Sequence, residues 1–213
     1  MNDSVLHSWL QRRGALTLSV LIIVILLLAW AGEPARELLR YQRAAVLNGE
    51  YWRLLSAHLV HGSWQHVGVN LAGLLLMVAL FHDGYRYLNW CWIVGLSVAA
   101  IDLGFLLFMP QLVWYVGLSG VLHGLLAAGA IAWWKLEDRR LAATLSLIMV
   151  GKLAWEQWHG ALPLSGELPV VINAHLYGAL GGLLGGLLSW RSLPVSRRPR
   201  SVAIESDSKD NAN

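Results

Sequence analysis

The chain has 213 residues, of which 56% are hydrophobic and 14% are charged, and its mean hydropathy is +0.52. This composition suits lipid as the surrounding solvent and indicates one membrane domain. The formal net charge of +3 comes from basic residues at the edges of apolar runs, which favours membrane orientation over nucleic-acid binding, and the single cysteine, Cys91, excludes an internal disulfide and a cysteine-based zinc site.

Six apolar runs are long enough to span about 30 Å of hydrocarbon as helices. They predict transmembrane helices over residues 14–32, 62–81, 89–109, 113–134, 141–158 and 170–190. Residues 33–53 carry four arginines and predict an ordered loop at the membrane interface, with Trp52 and Arg53 as its anchors at the lipid headgroups. Residues 82–86 and Pro110 predict turns, and the Gly- and Pro-rich residues 160–169 predict a loop.

The basic residues predict the orientation of the chain. Six spans put both termini on one side, and most of the Lys and Arg residues lie there, namely Arg12, Arg13, Arg86, Lys135, Arg139, Arg140, Arg191, Arg197, Arg198, Arg200 and Lys209. The opposite side holds only the arginines of the first loop, so we expect cytoplasmic termini. The expected organisation is a cytoplasmic N-terminus at 1–13, a membrane domain at 14–190 and a disordered cytoplasmic tail at 191–213.

A serine lies between glycines at the start of the fourth apolar run, in the sequence Gly117-Leu118-Ser119-Gly120. The small neighbours allow another backbone to approach the hydroxyl closely. The pattern differs from the G-x-S-x-G nucleophile elbow of soluble hydrolases, because its second glycine follows the serine immediately. By itself the pattern is also compatible with a small-residue contact between helices.

Polar residues on three helices predict a common site. The second, fourth and sixth helices all run inward from the outer face, so a rise of 1.5 Å per residue gives the depth of each side chain. On this basis His66, His175, Ser119 and Asn70 lie about 6, 7, 9 and 12 Å below the outer boundary. Polar groups in a bilayer generally face a cavity, so we expect a hydrated pocket that is open to the outside. A serine, a histidine and further hydrogen-bond donors are the groups that acyl transfer requires.

Two histidines are candidates for the general base. His123 lies four residues after Ser119 on the same helix face, whereas His175 comes from the sixth helix. Sequence spacing does not decide between them. Gly178, Gly182 and Gly186 form a small-residue stripe on the sixth helix, and Gly120 and Gly124 form a matching stripe on the fourth. If these faces pack, His175 is carried against the helix of Ser119.

These residues together resemble the rhomboid family of intramembrane serine proteases. The resemblance is carried by Trp52-Arg53, by His61 with the H-x-x-x-N pair of His66 and Asn70, by Gly117-Leu118-Ser119-Gly120 and by Ala174-His175-Leu176-Tyr177-Gly178. It implies an all-α membrane protein with a six-transmembrane-helix bundle. It also implies a catalytic dyad of Ser119 and His175 without a carboxylate third member. His66, Asn70 and the backbone N–H of Ser119 are then the expected oxyanion hole, with Gly117, Gly120, His123 and Gly178 as supporting residues.

The sequence Gly117-Leu118-Ser119-Gly120-Val121-Leu122-His123-Gly124 resembles the rhombosortase subgroup, since His123 stands where many rhomboids have tyrosine. We expect His123 to pack under His175. The resemblance implies membrane-anchored substrates with a C-terminal Gly-Gly motif, a hydrophobic helix and a basic end. It also implies a bacterial inner-membrane location with the active site open to the periplasm, and neither a cofactor nor a metal. The substrate itself, the acyl acceptor, the oligomeric state and the substrate's entry route do not follow from the sequence.

The sequence leaves alternatives for the roles of several polar residues and for the function of the protein. Asp102 is expected to be protonated or hydrogen-bonded within the third helix, and Lys152 and Glu156 are expected to neutralise one another, with a substrate contact as the alternative. His58 and His61, with His66, permit a metal site as an alternative to capping roles. A transporter, a rhomboid protease acting on other single-span proteins and a non-catalytic rhomboid-like chaperone are the competing functions.

Overall fold

The computed structural model describes residues 3–82, 84–136, 139–160 and 170–193. Within these ranges the chain forms eight α-helices, two short strands and a 3₁₀ turn at Trp190–Ser192. In chain order they are α1 (Asp3–Leu39), β1 (Tyr41–Gln42), α2 (Arg43–Leu47), α3 (Trp52–Ser56), α4 (Trp64–Phe81), α5 (Tyr87–Phe108), β2 (Trp114–Tyr115), α6 (Ser119–Leu136), α7 (Arg139–His159) and α8 (Ile172–Leu188). The predicted loop at 161–169 and the predicted tail from residue 194 onward lie outside the described residues.

The six long helices follow the six predicted spans in order, and the all-α membrane class is confirmed. By length and composition, three of the described helices are suited to cross a bilayer: residues Arg13–Leu39 of α1, α4 and α5. The helix α8 is apolar but shorter. Lys152 and Glu156 lie within α7, which lowers its apolar character. The six-helix bundle is therefore more apparent from the packing than from hydropathy alone.

The first loop is more regular than predicted. Gly32, with φ 68° and ψ −140°, breaks α1 where the predicted first span ends, and the chain then continues as helix to Leu39. After it, β1 pairs antiparallel with β2, with Tyr41 opposite Tyr115. The guanidinium of Arg43 donates to the carbonyl oxygens of Phe105 and Leu106, which ties this loop to the end of α5.

Arg53 was predicted to anchor the first loop at the lipid headgroups, but the structure places its side chain inside the protein. Its side chain is buried and pairs with the carboxylate of Glu50 at 2.6 Å. It also donates to the backbone carbonyl oxygens of Glu37 and Arg40, each at 2.9 Å. The neighbouring Trp52 is half-exposed, as an interfacial anchor would be. Arg53 is therefore an internal clamp of the first loop, and it satisfies carbonyl groups left free at the end of α1.

The fourth long helix begins at Ser119, and the prediction of a start at residue 113 was wrong. Residues 114–115 pair with β1, and Gly117 has a φ of +122°, so the chain enters the site extended and turns into the helix only at the serine. The depth estimated for Ser119 from a helical rise therefore does not apply. The sixth long helix also begins two residues later than predicted, at Ile172.

The helices α6 and α8 pack backbone to backbone at the centre of the bundle. A Cβ atom at Gly178 would collide with the carbonyl oxygen of Gly120, and one at Gly182 would collide with the backbone of Gly124. On its other side α8 lies against α5, where a Cβ at Gly181 would meet the backbone of Leu96 and Ser97. The predicted pairing of the two glycine stripes is confirmed. It fixes the height of α8 relative to α6 and hence the position of every side chain between them.

We expect Gly182→Ala to lower the free energy of unfolding by about 1–3 kcal/mol, because the added methyl group has no space against Gly124. The measurement is the apparent Tm of the detergent-solubilised protein. Gly151→Ala in α7 is the matched control, since nothing lies within 4 Å of a Cβ there. Equal Tm values for the two variants would contradict this account of the packing.

Candidate active site

Ser119 and His175 approach each other where α6 and α8 begin. The Nε2 atom of His175 lies 3.0 Å from the Oγ atom of Ser119, which is hydrogen-bond distance. The imidazole is buried, with 5% of the residue exposed, and the two residues line one cavity of about 620 Å³. The predicted juxtaposition of this hydroxyl and this imidazole is therefore found in the structure.

The turn before Ser119 is held by hydrogen bonds on both sides of Gly117. The N–H of Gly117 donates to the carbonyl oxygen of Ala57 at 2.9 Å, and the Tyr115 hydroxyl donates to the carbonyl oxygen of Gly117 at 2.7 Å. A side chain at Gly117 is excluded twice, because φ is +122° and because its Cβ would lie 2.7 Å from the His66 ring. This glycine thus sets the direction in which the serine enters α6.

His123 packs against His175 as predicted. The two rings are stacked, with centroids 4.1 Å apart and planes inclined by 17°. The Nδ1 atom of His123 lies 2.7 Å from the backbone carbonyl oxygen of Ser119, so this nitrogen carries the proton and donates it to that oxygen. Since His123 bonds to the backbone and His175 to the hydroxyl, the geometry favours His175 as the proton acceptor for Ser119.

His66 and Asn70 line the same cavity as Ser119 from α4. The Ser63 hydroxyl caps α4 by accepting from the N–H of His66. The buried Asn70 donates one N–H to the carbonyl oxygen of His66 at 2.9 Å, which leaves the second N–H of its amide for another acceptor. Beside them, burial and then the neighbouring His66 lower the pKa of His61 to about 3, so His61 is neutral at physiological pH.

Glu156 was not predicted to belong to the site. Its Oε2 atom accepts from Nδ1 of His175 at 2.9 Å, and its Oε1 atom accepts from Nζ of Lys152 at 2.6 Å. The Lys152–Glu156 ion pair was expected, but the contact with His175 was not. The resemblance implied a Ser119–His175 dyad without a carboxylate third member, and the structure differs from that picture in placing the Glu156 carboxylate on His175. The sequence did carry a signal for this contact, because a carboxylate within an apolar helix requires a partner. Lys152, four residues earlier, was expected to supply that partner, so a second one was not predicted.

The arrangement does not suit a metal ion. His123, Glu156 and His175 offer ligand atoms within 4.8 Å of one another. The lone pairs of imidazole nitrogens lie in the ring planes, however, and two stacked rings direct them side by side rather than toward one ion. Among the described residues, His58, His61 and His66 do not form a ligand group, and the alternative of a metal site there finds no support.

Asp102 lies outside the cavity lining, buried in α5. Its Oδ1 atom is 3.7 Å from Nε2 of His58, which is too long for a hydrogen bond, and the His58 ring meets Tyr115 edge-on. The hydrogen bond expected for Asp102 is therefore not found at Oδ1, which has no hydrogen-bond partner among the described residues, and the alternative of a protonated carboxyl group stays a prediction. The pair is placed behind the turn that carries Ser119.

Comparison with known proteins adds a family to this geometry. The family model described as the Rhomboid domain matches residues 48–192, which extend from just before α3 to the end of the 3₁₀ turn after α8. The match includes each of the residues that line the serine–histidine site. No curated protein matches the chain.

We expect His123→Phe to lower the reactivity of Ser119 about tenfold without abolishing it, since about 1.4 kcal/mol corresponds to a factor of ten. Phenylalanine retains a ring under His175 but loses the hydrogen bond to the Ser119 carbonyl. The measurement is the rate of covalent labelling by a fluorophosphonate in detergent. Complete loss in a variant with an unchanged Tm would instead make His123 a direct participant in proton transfer.

Proposed function

The chain belongs to the rhomboid family, and from that premise we propose that it is an intramembrane serine endopeptidase in which Ser119 is the nucleophile and His175 the general base. The observation that carries the proposal is the 3.0 Å approach of His175 Nε2 to Ser119 Oγ within a cavity. An apolar bundle that keeps an intact hydroxyl–imidazole pair at its centre is poorly explained as a non-catalytic chaperone. A transporter would not require that pair.

In the proposed reaction, Oγ of Ser119 attacks the carbonyl carbon of a substrate peptide bond while its proton passes to Nε2 of His175. The tetrahedral intermediate collapses with cleavage of the C–N bond, and His175 returns the proton to the leaving amine. Water, deprotonated by His175, then hydrolyses the acyl-serine ester and restores the hydroxyl. Acylation and deacylation each move one proton, which His175 accepts from the attacking oxygen and returns to the leaving group.

The oxyanion of the intermediate needs donors that are already oriented. We assign this role to the backbone N–H of Ser119, at the N-terminus of α6, and to the side chains of His66 and Asn70. The first N–H groups of a helix have no partner within the helix, and the helix dipole favours negative charge there. The free second N–H of Asn70 supports its inclusion.

For the substrate, we propose the rhombosortase class: secreted proteins that end in a Gly-Gly motif, a hydrophobic helix and a basic segment. The support is the sequence around Ser119 with His123 at its fourth following position, and the stacking of His123 on His175. The resemblance to this subgroup implies a bacterial inner-membrane location, and the distribution of Lys and Arg supports cytoplasmic termini with a cavity open to the opposite, periplasmic side.

Ser119-dependent labelling tests the enzymatic proposal. We expect a fluorophosphonate to label the wild type, and Ser119→Ala and His175→Ala to lose both labelling and cleavage. The assay for cleavage is release of a reporter protein fused to a Gly-Gly, apolar and arginine-rich C-terminal segment. A transporter or chaperone would show no labelling that depends on Ser119.

A matched reporter in which the two glycines are replaced by valine separates the substrate classes. Cleavage of the Gly-Gly reporter alone is expected of a rhombosortase. Equal cleavage of both reporters would indicate a rhomboid protease with broader specificity and would contradict the proposed substrate class.

Asn70→Ala is expected to lower turnover by about 10²- to 10³-fold, the usual effect of removing one oxyanion donor in soluble hydrolases. Its effect on the apparent Tm should be small by comparison, because the lost hydrogen bond joins Asn70 only to its own helix. Full activity in this variant would remove Asn70 from the oxyanion hole. Gln65→Ala, in the preceding turn of α4 and also on the cavity wall, is the control.

A further inference from the structure

A charged carboxylate is buried in the membrane domain and points at the imidazole of the site. Glu156 is 2% exposed, and both of its oxygen atoms are engaged, one by Lys152 and the other by His175. Burial of a carboxylate is costly unless it is paired and hydrogen-bonded. The ion pair with Lys152 would be possible at the cavity wall without any contact to α8. The second contact therefore calls for its own explanation.

The contact defines which nitrogen of His175 holds the proton. A carboxylate oxygen only accepts, so Nδ1 must carry the hydrogen in the 2.9 Å bond to Glu156. In a neutral ring the other nitrogen, Nε2, then presents its lone pair, and this is the atom 3.0 Å from the Ser119 hydroxyl. The bond thus selects the tautomer that is able to take the proton from serine.

On these grounds we propose that Glu156 is a positioning residue that completes a Ser119–His175–Glu156 triad, an inference that rests on the proposed protease function. Glu156 holds the His175 ring in its reactive tautomer and stabilises the imidazolium that forms when Ser119 is deprotonated. The carboxylate keeps its own charge throughout and takes no proton. Lys152 balances that charge in the resting state, when His175 is neutral.

Four charged or titratable groups of the described residues surround His175. His123 faces it from α6, Glu156 and Lys152 approach from α7, and His66 lies on α4 across the cavity. Of these, Glu156 is the anion. Its removal would leave the imidazolium beside the Lys152 cation without compensation. Loss of the carboxylate should therefore disfavour protonation of His175 as well as misorient its ring.

The test measures the rate of fluorophosphonate labelling of Ser119 between about pH 5 and pH 9. In soluble serine proteases, replacing the triad aspartate by asparagine lowers the rate about 10⁴-fold. We expect Glu156→Gln to lower the labelling rate by about 10²- to 10⁴-fold and to move the acid limb of the pH profile to lower pH. Glu156→Asp, which keeps a carboxylate, should recover at least about tenfold of the lost rate.

Two further variants separate positioning from structural support. Lys152→Met breaks the same ion pair but leaves the carboxylate on His175, so its rate should exceed that of Glu156→Gln by at least about tenfold. Glu37→Gln removes an ion-paired but exposed glutamate at the end of α1, away from the serine, and should label like the wild type. If Glu156→Gln does not fold, the comparison of Glu156→Asp with Lys152→Met carries the test, with the larger loss of rate expected in Glu156→Asp.

The outcomes distinguish a failure of the proposed protease function from a failure of the proposed triad alone. A wild type without Ser119-dependent labelling defeats the proposed function itself. A labelled wild type whose Glu156→Gln variant reacts within about threefold of it, or loses rate with an unmoved acid limb and no recovery in Glu156→Asp, overturns the triad and leaves the protease proposal intact.

Discussion

The close contact between α6 and α8 is the constraint on which the site depends. Ser119 opens one helix and His175 lies in the first turn of the other, so a hydrogen bond of 3.0 Å exists only when the two backbones meet at one fixed height. That height is set by Gly178 against Gly120 and by Gly182 against Gly124. Side chains at these points would collide with the backbone of α6 and push the two helices apart, which would lengthen the hydrogen bond between Ser119 and His175. Close backbone packing, which does not need a hydrophobic driving force in lipid, thus sets the distance between the Ser119 hydroxyl and the His175 imidazole.

Hydrogen bonds tie the first loop to the surrounding helices and to the segment before Ser119. Arg53 joins the first loop to the end of α1, Arg43 joins it to α5, and the short β1–β2 pair joins it to the turn before Ser119. Each of these contacts satisfies backbone groups that would be costly to leave unpaired in lipid. The first loop therefore has a structural role at the site, because it holds the extended segment that leads to Ser119 at the N-terminus of α6.

The sequence contained enough information to predict the helix order, the pairing of the glycine stripes and the meeting of Ser119 with His175, because each leaves a local periodic or motif signal. The start of α6 was not predictable in the same way. Residues 113–118 are mostly apolar and continue the pattern of the helix, while the pairing of Trp114 with Gln42 is a contact across 72 residues that local pattern does not reveal. Glu156 was missed for a related reason. Its partner four residues earlier explained its charge, and only the fold shows that its other oxygen faces α8.

The three neighbours of His175 restrict different motions of one ring. Stacking on His123 fixes the plane of the imidazole, whereas the bonds of Nε2 to Ser119 and of Nδ1 to Glu156 fix its rotation within that plane. A stacked ring by itself leaves the tautomer undetermined, and a carboxylate by itself leaves the ring free to tilt. Since His123 is anchored to the carbonyl of Ser119, the same residue holds both the proposed nucleophile and the face of its proposed base. If the proposed reaction holds, the ring that accepts the proton is thus already oriented before any substrate enters, and orientation before reaction is what lowers the cost of reaching the transition state.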